Sequence, residues 1–259
     1  LWASAAITSH QRGAETAMAR LASGKRINSS ADDPAGVAIA SRMNSEIRST
    51  SQAIRNALDG QALLDTAEGG HKEVENILQR MREIAVQAAN DTNSAQDRDN
   101  LNAEMKALST EIDRISSVTS WAGQNLMGEG RSQFSFQVGT SINAKSAITV
   151  PINSMSANTL SVDHAAVSVN GPEASRSAIS AIDGAITLVN SQRSMLGATS
   201  NRLSYAVNNL TNVSNNLTAA LGRIQDADYA AEITALAKHQ ILQKAAMAML
   251  APTNASKGY

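Results

Sequence analysis

A ladder of apolar residues at a strict interval of seven runs through the C-terminal half: Ile182, Val189, Leu196, Leu203, Leu210, Leu217 and Ile224. Ile179, Ile186, Val207 and Leu221 add a second apolar position in the same frame. This repeat is that of an a/d seam, in which one narrow stripe of a helix stays turned toward partner helices. From Ile182 to Ile224 such a helix rises roughly 60 Å, at about 1.5 Å per residue. The ladder therefore predicts a long coiled-coil-like rod. In the second column Arg193, Ser200 and Ser214 stand where apolar residues are due, which points to a register device or to a seam left open for another subunit.

Aromatic residues make up only 3% of the chain, so aliphatic and alanine contacts must do most of the packing, as closely spaced helices allow. The prolines at 34, 151, 172 and 252 leave two long proline-free tracts, which suits two helical regions with something different between them. A formal net charge of −1 gives no electrostatic case for nucleic acid. No apolar run approaches the roughly 18 to 20 residues of a membrane span. The start, Leu1-Trp2-Ala3-Ser4, does not read as a secretory signal peptide. With no cysteine, disulfides, thiol catalysis and Cys-ligated metal are excluded.

Along the chain, residues 1 to 30 read as a loosely helical, Ala-rich arm with a break at Gly24. Asp33-Pro34 is a helix start: the carboxylate can accept from orphan backbone N–H groups, and proline at the first helical position loses no hydrogen bond. A helix is expected over about 34–89, with Gly69-Gly70 as a weak point inside it. Asn90 to Ser94 is a turn by composition, and a second helix over about 95–118 carries Leu101, Met105, Leu108, Ile112 and Ile115. The short turn makes it fold back antiparallel. A β-rich insert is expected over about 131–172. There Phe134 to Val138 and Ala147 to Val150 alternate like the strands of a hairpin, while 160–169 adds short strands or loop. The ladder helix then spans about 175–224, completing a rod domain over 31–225. A C-terminal arm over 226–259 starts at Asp226-Ala227-Asp228 and holds a helix ending at Pro252. The fold class expected is thus mainly α, a long antiparallel coiled-coil-like rod with a small β-hairpin insert.

Arg20-Leu21-Ala22-Ser23-Gly24-Lys25-Arg26-Ile27-Asn28-Ser29, running into Ala31-Asp32-Asp33-Pro34-Ala35-Gly36, closely resembles the N-terminal region of bacterial flagellins. Ile77 to Asn90 and Glu111 to Ile115 look like later blocks of that family. Leu196-Gly197-Ala198, Asn201-Arg202-Leu203, Arg223 to Glu232 and Gln240 to Gln243 match in the C-terminal half. The resemblance implies a self-assembling subunit of the flagellar filament, exported through the flagellar type III apparatus to the cell exterior, with an export chaperone and a cap as partners. It implies that both arms are of the inner-core type and that the outer domains of larger relatives are reduced here to the small insert. Relatives carry further residues before the position of Ser4 and an apolar C-terminal tail. The expectation from that difference is a mostly monomeric chain with loose arms. Residues at the positions of Arg80, Ile84 and Glu104, with Gln79 and Gln87 nearby, contact a host Toll-like receptor in some family members, so these five are candidates for receptor or neighbouring-subunit contact.

Enzymatic chemistry has little foothold. His10, His71, His164 and His239 are scattered, and only His71 with Glu75 has an i, i+4 spacing, read as an ordinary solvated pair because a metal needs further ligands. Neither a metal nor a cofactor is expected. Gly128-Glu129-Gly130 reads as a turn. Two other readings compete: a hook–filament junction protein, and a surface adhesin using the polar helices to bind a glycan, for which Trp2, Trp121 and the three tyrosines offer few flat faces.

Overall fold

The Asp33 carboxylate accepts from the backbone N–H of Gly36 at 2.8 Å, and with Pro34 at the first helical position this cap starts a helix that runs unbroken to Ala88. The computed structural model describes residues 2–128, 132–141 and 143–255. Among these are five α-helices: α1 Trp2–Ser23, α2 Pro34–Ala88, α3 Ala95–Val118, α4 Pro172–Gln225 and α5 Tyr229–Ala255. Four short strands, β1 Ser120–Trp121, β2 Gln124–Asn125, β3 Ser132–Gln137 and β4 Ala147–Ile152, pair as two antiparallel hairpins. The chain is mainly α, with 73% of the described residues in helices. It forms two compact units, Leu1–Ser49 with Asn212–Tyr259, and Thr50–Thr211.

In the Thr50–Thr211 unit, α3 turns back on α2 after a capping box in which Ser94 accepts from the Asp97 N–H and Asp97 accepts from the Ser94 N–H. Arg98 closes the hairpin by donating from Nε to the Ala88 carbonyl at 3.0 Å. The α4 helix runs antiparallel to α2, with Gln61 donating to the Ser200 carbonyl at 3.3 Å at one level and Arg82 bonded to Asp183 at 2.6 Å at another. Between them Leu64, Leu78, Met81 and Ile84 of α2, Met105 and Ile112 of α3, and Ile182, Val189, Leu196 and Leu203 of α4 are fully or almost fully buried. Each such side chain contributes about 1.5–3 kcal/mol by leaving water.

The buried positions of α4 are Ser175, Ala178, Ile182, Ala185, Val189, Gln192, Leu196, Thr199 and Leu203, alternating steps of three and four. The inward second column is therefore Ala178, Ala185, Gln192 and Thr199, not the expected column of Ile179, Ile186, Arg193 and Ser200. Ile179 and Ile186 instead pack half-buried at the flank. Gln192 fastens the insert to the rod, because its amide donates to the Pro151 carbonyl at 2.8 Å and accepts from Asn153 at 2.9 Å, tying β4 to α4.

Gly69-Gly70 does not weaken α2 into a break. A Cβ at Gly70 would lie 2.6 Å from the Met127 methyl and 3.1 Å from the Thr119 hydroxyl, whereas one at Gly69 would meet nothing. Gly70 is thus a packing notch.

The β3–β4 hairpin pairs Phe134 with Val150 and Phe136 with Ile148, and the Phe136 ring rests over Gly60 of α2. Residues 160–169 form turns rather than strands, with Leu160, Val162, Val167 and Val169 buried. Polar groups of α3 satisfy this segment and the turn before it: Ser109 donates to the Val162 carbonyl at 3.0 Å, and Asp113 and Asn102 accept from the N–H groups of Ala157 and Val169. The β1–β2 hairpin turns at Ala122 and Gly123, both at positive φ, 49° and 81°, as a two-residue hairpin turn requires. Of the Gly128-Glu129-Gly130 turn expected from sequence, Glu129 and Gly130 lie outside the described residues.

The second unit joins the two ends of the chain. In the first segment α1 is a continuous helix packed antiparallel on α5, with Ala14 and Ala17 buried. It ends at Gly24, φ 69°, the left-handed cap position that glycine fills without strain. The last helix continues through Pro252 to Ala255, since a proline near a helix end removes only one late hydrogen bond.

Candidate functional site

Three places in the fold carry the residues singled out from sequence. On α2 and α3, Arg80 donates from Nε and Nη2 to one Glu104 oxygen, at 3.0 and 2.8 Å, and from Nη1 to Glu83 at 3.0 Å. These bonds, Glu104 first, raise the guanidinium above the ordinary arginine value. Gln79 and Gln87 are exposed on the same helix, and with Arg82, Glu83 and Val86 they line one shallow groove. Ile84 is different: at 1% exposure it belongs to the core and offers no surface to a partner. The large apolar residue this face does present is Val86, 50% exposed.

The seam residues divide along α4. Ile182, Val189, Leu196 and Leu203 are buried, while Leu210, Leu217 and Ile224 are only half-buried. In the unit that contains Leu217 and Ile224, α5 exposes Ile233, Ile241 and Met247.

The third place is the junction of α1, α4 and α5, built by the Arg20–Asp33 and Arg223–Glu232 segments. Arg20 bonds Glu232 at 2.9 Å, Arg26 caps the end of α4 by donating to the Ile224 carbonyl at 2.7 Å, and Lys25 bridges Asp226 in a short antiparallel pair. Tyr229 donates to the Leu21 carbonyl at 3.2 Å. Asp32 accepts from the N–H groups of Ser29 and Asn28, which hold its carboxyl below the ordinary aspartate value. Side-chain and backbone bonds of these two segments thus hold the junction together.

His71 and Glu75 are not a solvated pair. His71 is fully buried, and Glu75 is bonded to Arg193 of α4. The residue due to be apolar at position 193 thus supplies a cation that clasps α2. Sequence periodicity could not show this, because the partner lies 118 positions away. Among the described residues no group of three or more His, Cys, Asp or Glu side chains is placed to hold a metal ion. A cavity of about 360 Å³ beside α4, walled by Met155, Leu160, Leu188 and Met195 with Ser154 and Gln192 at its polar side, contains no titratable side chain.

Comparison with known proteins agrees with this architecture. Residues 1–130 match the bacterial flagellin N-terminal helical region and residues 179–257 the bacterial flagellin C-terminal helical region. A flagellin of Halalkalibacterium halodurans is 42% identical over 93% of this chain and 88% of its own length. Flagellin A of Vibrio cholerae is 48% identical over 49% of this chain, a third (33%) of its own length. The crystal structure of Bacillus cereus flagellin superposes with a TM-score of 0.52 at 30% identity, covering 64% of this chain and 94% of that one. The signature segments, the paired helices and these matches together place the chain in the bacterial flagellin family, whose members are structural subunits of the flagellar filament.

Proposed function

We propose that this chain is exported and assembles with identical copies through the half-open part of the α4 seam and the apolar side chains exposed on α5. The observation that carries the reading is the change of burial along one unbroken ladder, from buried Leu203 to half-buried Leu210, Leu217 and Ile224. Apolar side chains that one copy leaves partly wet are covered when copies stack, and contacts that do not close on themselves give an open helical filament. An export chaperone and a filament cap are the further partners of this role, which is structural rather than catalytic. High-speed pelleting seeded with short filaments, followed by electron microscopy, tests it. Thin filaments in the pellet are expected, and a chain that stays soluble with full helical content under seeding and salt would remove self-assembly from the reading.

A second reading is favoured by the Arg80–Glu104 pair. It presents a fixed charge pattern beside Gln79, Gln87 and Val86 on a monomer surface, the form of site that gives an oriented protein contact. The partner is the innate immune receptor implied by the family resemblance, with Ile84 acting only as packing beneath the face. Combined Arg80→Ala and Glu104→Ala substitution should abolish a receptor reporter response to monomer while leaving helical content unchanged. An undiminished response would discard the reading, and would leave this face for neighbouring subunits or a surface glycan.

A further inference from the structure

We propose that His71 makes the pairing of α2 with α4 acid-sensitive, so that uptake of one proton by its ring loosens the Thr50–Thr211 unit. The ring is fully buried, and its Nδ1 lies 2.6 Å from the Ala67 carbonyl oxygen one turn earlier. A carbonyl only accepts, so Nδ1 carries the hydrogen and Nε2 is the unprotonated nitrogen of a neutral imidazole. Nε2 is itself buried and meets no hydrogen-bond partner among the described residues. A proton added there would create a buried cation whose new N–H has nothing to donate to.

The charged groups around it act in opposite directions. From α4 comes the Arg193 guanidinium, and from α2 itself come Glu68 and Glu75, both already engaged by Arg193. A protonated His71 would thus be an unpaired cation beside the Arg193 clasp that joins α2 to α4. Burial is the largest influence and pushes the imidazole below its ordinary value; the Ala67 carbonyl opposes this, Arg193 adds to it and Glu68 opposes it.

The direction of the pH effect follows. With the folded value lowered, the unfolded chain binds the proton first as pH falls through about 6.5, so stability is complete above that point and is lost below it. Until the lowered folded value is reached, the folding equilibrium constant falls about tenfold for each pH unit. Carboxylates ordinarily titrate near about 4, so the upper part of this window belongs to the histidine.

Denaturant unfolding of the full chain between about pH 8 and pH 5, comparing wild type with His71→Leu and His71→Met, tests the proposal. The expected result is a wild-type loss of up to about tenfold per pH unit below about 6.5 that both variants lack. Parallel profiles would overturn it. Should both variants fail to fold, NMR titration of the wild-type histidine ring signals decides. A His71 ring that stays neutral below the ordinary histidine value of about 6.5 supports the proposal, and one that titrates at or above that value overturns it.

Discussion

At the scale of single residues, two adjacent glycines show how a shared residue type can hide opposite roles. Gly69 and Gly70 both sit inside α2, where glycine costs about 1 kcal/mol relative to alanine. A Cβ at Gly69 enters open space, so Gly69→Ala should stabilise the fold by up to about 1 kcal/mol. At Gly70 the same atom would press on the buried Met127, and the helix gain is offset by overpacking of about 1–3 kcal/mol. Thermal unfolding of the two variants should separate them by at least about 1 kcal/mol, with Gly69→Ala the more stable; equal melting would mean that Met127 swings aside without loss. Ile84 makes the complementary point. In sequence it stands one helical turn from Arg80 and suits either a core or a surface contact, and only packing against the other helices assigns it to the core.

At the scale of elements, the α4 ladder leads to a graded expectation. Leu196 is 1% exposed, so Leu196→Ala should destabilise the monomer by about 2–5 kcal/mol, the range for truncating a buried leucine. Leu217 is half-buried, so Leu217→Ala should cost the monomer clearly less and reduce seeded pelleting more. Equal monomer losses would mean that the half-open part of the seam is already complete within one copy.

The ladder itself, the Asp33-Pro34 start and the Ser94 turn were readable because each is a local pattern: a period, a cap, a run of turn formers. The second inward column was misread because Ala178, Ala185, Gln192 and Thr199 carry too little apolar signal to announce burial, whereas Ile179 and Ile186 carry more than their positions use. The turns of 160–169 were ambiguous for a similar reason, since backbone groups of Val162 and Val169 are satisfied by Ser109 and Asn102 on α3 rather than by a neighbouring strand. Of the candidate recognition face, the charges of Arg80 and Glu104 were legible and their mutual bond was not, being a contact across two helices.

At the scale of the whole molecule, the two units differ in what holds them. Among the described residues, the buried apolar side chains of Leu1–Ser49 with Asn212–Tyr259 are Ala14, Ala17, Ile27 and Ala40, three of them alanines. Thr50–Thr211 holds the large buried side chains, including Leu64, Leu78, Met81, Ile112 and Leu196. Local opening free energy follows buried apolar contact. Limited proteolysis of the monomer should therefore trim α1 and α5 first and leave a resistant fragment close to residues 50–211. Amide exchange as slow in α1 as in α3 would contradict this ordering.

The Arg20–Glu232 bond spans 212 positions of chain, and that separation sets a sequence of events in time. On a ribosome, α1 is made before the other four helices and its partner α5 after them, so α1 stays single while the rest emerge. The Thr50–Thr211 residues, by contrast, are contiguous and can pair as soon as α4 emerges. The closure of α1 on α5 is the last of these pairings to form, and whatever binds α5 before that step keeps the two helices apart.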